Sequence, residues 1–165
     1  MGMIINFLRI ESDQLNIYKE DSSKLEDRIY NDEIDNDPNF IDIDKSWDGI
    51  IFLLTGQNVE NASGEMLKII FSGNLIDEEQ DLGYGPAHYL NSNEVTELNF
   101  KLKQINMEEL KAKFDANKMK QIGVYPDIWD EGASAMEYLI DYFEDLRNFY
   151  SEAALNKQAI ISVLN

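Results

Sequence analysis

Apolar residues recur mostly at helical spacing along this chain, with short apolar runs near its two ends that fit strands instead. Residues 3–10, MIINFLRI, have strand length, and Ser12 with Asp13 reads as a helix start leading to Leu15 and Tyr18. Ser23 precedes Glu26 by three residues, the spacing of a capping box in which each side chain satisfies the other's backbone N–H, and Leu25 and Ile29 follow at helical spacing. The acidic segment 32–42, DEIDNDPNFID, is broken by Pro38 and predicts a loop. Ile43, Trp47, Ile50, Ile51 and Leu54 then share a helical face, with Asp44 placed as N-cap and Gly56 as stop. Phe52 and Leu53 make the second half of that helix apolar all round, which predicts a central position.

Polar residues 57–64 form a linker by composition, and the apolar run Met66–Phe71 fits helix and strand equally. A loop over 72–85 closes in the turn sequence LGYGP, after which AHYL predicts a short strand. Val95, Leu98, Leu102 and Ile105 mark an amphipathic helix after Ser92, while Asn106 with Glu109, and then Asp115, start two more. Met136, Leu139, Phe143, Leu146, Tyr150 and Ala153 line one face of a long helix, of about five to six turns at 3.6 residues each. The final run AIISVL predicts a strand beside the first. These elements predict a mainly helical α+β fold over residues 1–165, one domain. It combines five to seven helices with a small, mostly antiparallel sheet of both terminal strands and residues 86–90.

Charge narrows the choice of partners. With 14 Lys and Arg against 32 Asp and Glu, the 165-residue chain carries a formal charge of -18. Such a field repels phosphate backbones and anionic lipid, so neither nucleic acid nor membrane is an expected partner. Six lysines between residues 101 and 120 spread around helix faces beside Glu108, Glu109 and Asp115 and make no basic patch. No apolar run approaches the roughly 20 residues of a membrane span, and no export or myristoylation pattern opens the chain, which predicts a cytoplasmic protein.

The chain has no cysteine, so it offers neither disulfides nor thiolate chemistry. Its single histidine, His88, leaves zinc without its usual ligands, and no metal or other cofactor is expected. Asp42, Asp44 and Asp48 imitate the start of a calcium loop, but Trp47 replaces the turn glycine and Leu53 the bidentate glutamate. Phosphate-loop and nucleophile-elbow patterns are missing too. What remains is an aromatic group in or beside turns and helix ends, Trp47, Tyr84, Tyr125 and Trp129, together with Lys45 and His88. If these converge they would line an apolar pocket with a few polar groups, the general form of a small-molecule site.

Five spaced segments carry a resemblance: MGM, IDIDKSWDGIIFLLTG, GYGPAHYLNSNEV, MKQIGVYPDIWDE and YLIDYFEDLRNFYSEAALNKQAIISVLN. Together they are similar to the YfbM-like bacterial proteins, a family named as a domain of unknown function. The resemblance rests most on Asp44, Lys45, Trp47, Thr55, Gly56, Gly83, Tyr84, Gly85, Pro86, Tyr89, Leu90, Tyr125, Pro126 and Trp129. It implies a single cytoplasmic α+β domain and no established activity, and the family pattern has arginine where His88 stands. Two readings follow. The first is a non-enzymatic protein whose acidic surface binds a basic protein partner, with toxin-neutralising immunity proteins as the analogy. The second is a small-molecule-binding or hydrolytic domain with a pocket near Lys45, Trp47, Tyr84 and His88.

Overall fold

The two ends of the chain alternate in a way that buries both of their faces. In β1 (Ile5–Ile10) the side chains of Ile5 and Phe7 enter one core, and those of Leu8 and Ile10 enter another on the opposite side. β4 (Ala159–Leu164) divides likewise, with Ile160 on the first side and Ala159, Ile161 and Val163 on the second. The computed structural model, which describes residues 2–165, pairs these strands antiparallel with Leu8 opposite Ile161. Two short antiparallel strands flank them, β2 (Phe40–Asp42) on β1 and β3 (His88–Leu90) on β4, giving the order β2-β1-β4-β3. The expected α+β fold with both terminal strands in the sheet is what forms.

Helices cover both faces unequally. The smaller core holds α1 (Ser12–Glu20) and α2 (Ser23–Ile29) together with Ile76, Leu82 and Ala87 of the long segment before β3. The larger core lies under α3 (Trp47–Thr55), α4 (Ser92–Lys103), α5 (Met107–Ala112), α6 (Ala116–Gln121) and α7 (Ala133–Leu155). α3 and α7 approach so closely that a Cβ on Gly49 would come within 2.5 Å of Leu139 Cδ2 and 2.8 Å of Trp129 Cη2. Tyr150 of α7 donates its buried hydroxyl to the Ile69 carbonyl at 2.8 Å, and Ser162 of β4 donates to Ile70 at the same distance. The run 66–71 is thereby anchored as a short 3-10 turn, Glu65–Ile69, and is neither of the two elements its pattern allowed.

Several local expectations change for identifiable reasons. The Ser23–Glu26 box does not form, because Asp21 takes both the Ser23 hydroxyl, at 2.5 Å, and its backbone N–H, at 3.2 Å. The reciprocal box stands instead at Asn91 and Glu94, at the start of α4. Asp44 caps no helix: its φ of 51° is left-handed, and the turn it makes carries the chain from β2 to Ser46 before α3 begins. Gly56, at φ 78°, ends α3 as expected. The segment read as a loop contains β2, which pairing with β1 stabilises in spite of its acidic, proline-broken sequence.

Candidate functional site

The α3 start and the turn before α7 bring several of the candidate aromatics together. Asp48, 2% exposed in the first turn of α3, accepts from the backbone N–H of Val59 at 2.6 Å and of Tyr125 at 2.8 Å. This places the Tyr125 ring against Trp47 in a stack, 5.5 Å between centroids and 29° between planes. Phe71 meets Trp47 edge-on at 5.7 Å, and His88 lies 5.4 Å from Phe71, so four rings form a row. The polar ends of this row are used by the chain itself. Trp47 Nε1 donates to the Met3 carbonyl at 3.0 Å, and Met3 N–H donates to the Tyr125 hydroxyl at 2.9 Å. Lys45 and Tyr125 crowd Gly2, where a Cβ would overlap Lys45 Cε and approach the Tyr125 hydroxyl at 2.5 Å.

The other candidates are placed differently. Trp129 is fully buried behind α3, donating Nε1–H to the Val124 carbonyl at 2.8 Å and meeting Phe114 edge-on. Tyr84 is 55% exposed, and its ring is not part of the row. His88 Nδ1 accepts from the Gly73 N–H at 3.1 Å, which leaves the neutral ring's proton on Nε2. Burial pushes the His88 pKa below its ordinary value, so this ring is neutral near pH 7. The cavity of about 270 Å³ beside Lys120 and Asp127 has Tyr125 in its wall. Among the described residues no group of three or more His, Asp or Glu side chains is arranged to hold a metal, and no helix is long and apolar enough to cross a membrane.

A second constellation lies on the larger-core face of the sheet, between β2 and α7. Here a groove of about 470 Å³ has Ile41, Pro38 and Phe149 as apolar wall and Asp42, Asp145 and Glu152 as acidic wall. Arg9 crosses one end, 5.8 Å over the Phe149 ring and 3.7 Å from Glu152. Asp42 and Asp44 add to the acidic edge, and Asp44 accepts from the Tyr138 hydroxyl at 2.8 Å. The Asp42 carboxyl is pushed up first by desolvation and then by Asp44 and Asp35, while the Asp44 N–H opposes the shift. Tyr142 is raised by burial and by Asp44, Asp42 and Asp145, which records the same negative field from α7. Among the ion pairs of the described residues, none involves Asp42, Asp44, Asp141 or Asp145.

A model for a domain of unknown function (DUF1877) matches residues 1–163. The chain belongs to this family. The DUF1877 chain is also similar in structure to YfbM from Escherichia coli, itself described as a protein of unknown function. The TM-score is 0.77 at 17% identity, with 98% of this chain and 99% of that one covered. At that identity the likeness establishes a shared fold. No curated protein matches the sequence.

Sequence reading of this DUF1877 chain missed Asp48 as a latch and the groove altogether. Asp48 stands in the first turn of an apolar helix, where an acid is favourable on helix-dipole grounds alone, so its two distant N–H donors left no local mark. A signal for the groove does exist in α7: Glu137, Asp141, Glu144, Asp145 and Glu152 face solvent with Arg147 as the helix's sole cation. Its apolar complement, Ile41, is visible only once β2 is known to be a strand.

Proposed function

We propose that this protein is a non-enzymatic binding protein whose partner is a basic protein segment, received in the acidic groove between β2 and α7. The observation that carries the reading is that Asp42, Asp44 and Asp145 enter no ion pair among the described residues, with Asp42 and Asp145 beside an apolar wall of Ile41 and Phe149. A lysine or arginine entering the groove meets this negative field while its stem covers the apolar wall. The net charge of -18 supports it at longer range, since a basic partner is steered toward an acidic surface before contact.

The test uses a fluorescent amphipathic peptide alternating lysine and leucine, with stopped-flow association measured across a salt series. The on-rate is expected to fall steeply with salt, because screening acts beyond about 8 Å at physiological ionic strength. Asp42→Asn with Asp145→Asn is expected to weaken binding by about tenfold, given roughly 0.5–1 kcal/mol for each partly exposed charge contact. Glu78→Gln with Glu79→Gln removes the same charge from the segment before β3 and is expected to change affinity little. A flat on-rate, or equal losses in the two double variants, would reject the groove as the binding site.

A further inference from the structure

We infer that the basic segment binds in extended form, adding a fifth strand to the free edge of β2 in the four-stranded sheet. The inference rests on the groove reading above and adds the main-chain contacts that hold the segment beside it. Hydrogen-bonded and non-bonded positions alternate along an antiparallel pair. The Ile43 N–H donates to the Ile5 carbonyl at 3.1 Å and the Arg9 N–H to the Asn39 carbonyl at 2.9 Å, with Ile41 opposite Phe7 between them, so the positions of this segment bonded to β1 are 39, 41 and 43. Phe40 and Asp42 therefore turn their backbone N–H and C=O groups away from β1, toward the outside of the sheet. The Asp37 carbonyl takes the Phe40 N–H at 3.0 Å. The Phe40 C=O and both backbone groups of Asp42 are left without a partner among the described residues.

The other edge of the sheet is closed by the chain itself. Leu75 bridges to His88 there, the Tyr89 N–H donates to Asn74 at 2.8 Å, and the Ile76 N–H donates to Ala87 at 2.9 Å. The β2 edge ends where Asp44 turns the chain at φ 51°, its N–H donating to the Asp42 carboxylate at 2.6 Å, which leaves room for about three residues at roughly 3.4 Å each. The groove runs along this edge: Tyr138 bonds Asp44 at one end of α7, and Asp145, Phe149 and Glu152 face Pro38 and Ile41 further on. An added strand alternates its side chains, so those on the α7 side cover Ile41 and Phe149 while its backbone stays on β2. Charge on an edge strand normally guards against pairing with further copies. Asp42, exposed and with Asp35 and Asp44 close by, is such a guard against a second copy, which brings the same acids. A lysine-bearing segment meets attraction at the same residue, since opposite charges across a ladder stabilise the pairing.

Water also satisfies an exposed edge, and the experiment separates a hydrated edge from one that receives a strand. The lysine and leucine peptide of the salt series is made in two further forms, N-methylated at every lysine or at every leucine. Successive N–H groups of a strand point to opposite edges, so only one form loses the donors that face β2, while side chains and charges stay the same in both. The Kd of that form is expected to rise at least about tenfold, as for two lost backbone bonds, and that of the other to stay within about twofold of the unmethylated peptide. In the full ¹⁵N-labelled chain the Asp42 amide is expected to exchange with solvent at least about tenfold more slowly once the unmethylated peptide is bound, whereas the Phe40 amide, already bonded to Asp37, changes little. Equal Kd values for the two methylated forms, or an Asp42 amide that exchanges in the complex at its free rate, overturn the inference. The groove reading survives that outcome if the unmethylated peptide still binds with the expected salt dependence and loses affinity in Asp42→Asn with Asp145→Asn. An unmethylated peptide that does not bind overturns both.

Discussion

At Gly49 the substitution Gly49→Ala sets two effects against each other. Alanine improves helix propensity by about 1 kcal/mol, but its methyl would meet Leu139 and Trp129, both fully buried and without room to withdraw. Overpacking costs about 1–3 kcal/mol, so a lower denaturation midpoint is expected, and an unchanged or higher one would show that α3 and α7 part easily. Trp47→Ala removes a ring 3% exposed, stacked on Tyr125 and edge-on to Phe71, and is expected to cost about 3–5 kcal/mol. His88→Ala loses one neutral hydrogen bond from Gly73 and partial packing on Phe71, about 1–2 kcal/mol. Thermal melts of the two variants that coincide would refute this ranking. Spacing with Ile43, Ile50 and Ile51 made the burial of Trp47 legible in the sequence, whereas its hydrogen bond to Met3, 44 residues away, was not.

Helix starts were legible where the capping side chain had no nearer competitor. Asn106 and Asp115 accept from the N–H groups of Glu109 and Lys118, as their spacing implies. Ser23 has Asp21 two residues before it, and a local carboxylate wins the hydroxyl. Asn91→Ala removes the side-chain half of a reciprocal cap, leaving its backbone N–H to Glu94, and is expected to destabilise by about 1 kcal/mol, while Ser23→Ala is expected to stay within about 0.5 kcal/mol. Urea titrations of both variants check this, and an equal loss would mean that Ser23 has a capping role after all. β2 was illegible because three residues containing an acid carry no period of their own, and its existence depends on Phe40 facing Leu8 across the ladder. The aromatic row was half legible: turn-adjacent aromatics pointed to Trp47 and Tyr125, but nothing local placed Trp129 behind α3 or left Tyr84 outside.

Across the molecule, carboxylates pull stability in opposite directions as pH changes. Burial raises Asp42 and Asp48, so their charged forms burden the native state at neutral pH, and the burden lifts as pH falls through their folded pKa values. Asp37 is lowered, with desolvation opposed by the Arg28 pair and by Asn39, so its stabilisation persists above the ordinary aspartate value of roughly 3.9 and is lost below it. Below the ordinary aspartate value the melting temperature is therefore expected to fall, and less steeply in Asp37→Asn than in the native protein. Equally steep falls in the two proteins would contradict the direction assigned to Asp37. The ladder that joins the chain's two ends has a mechanical consequence. Ile5 faces Leu164, and Ile4 and Asn165 exchange backbone hydrogen bonds beyond them, so residues 4 and 165 occupy the same end of the central strand pair. A pull applied between those two residues runs along the hydrogen bonds, which in an antiparallel pair lie perpendicular to the strands. It loads one rung at a time, as in opening a zipper, and does not shear all rungs together. The most deeply buried part of the sheet is therefore also its mechanically softest along this axis, yielding from the Ile4–Asn165 rung inward toward Ile10 and Ala159.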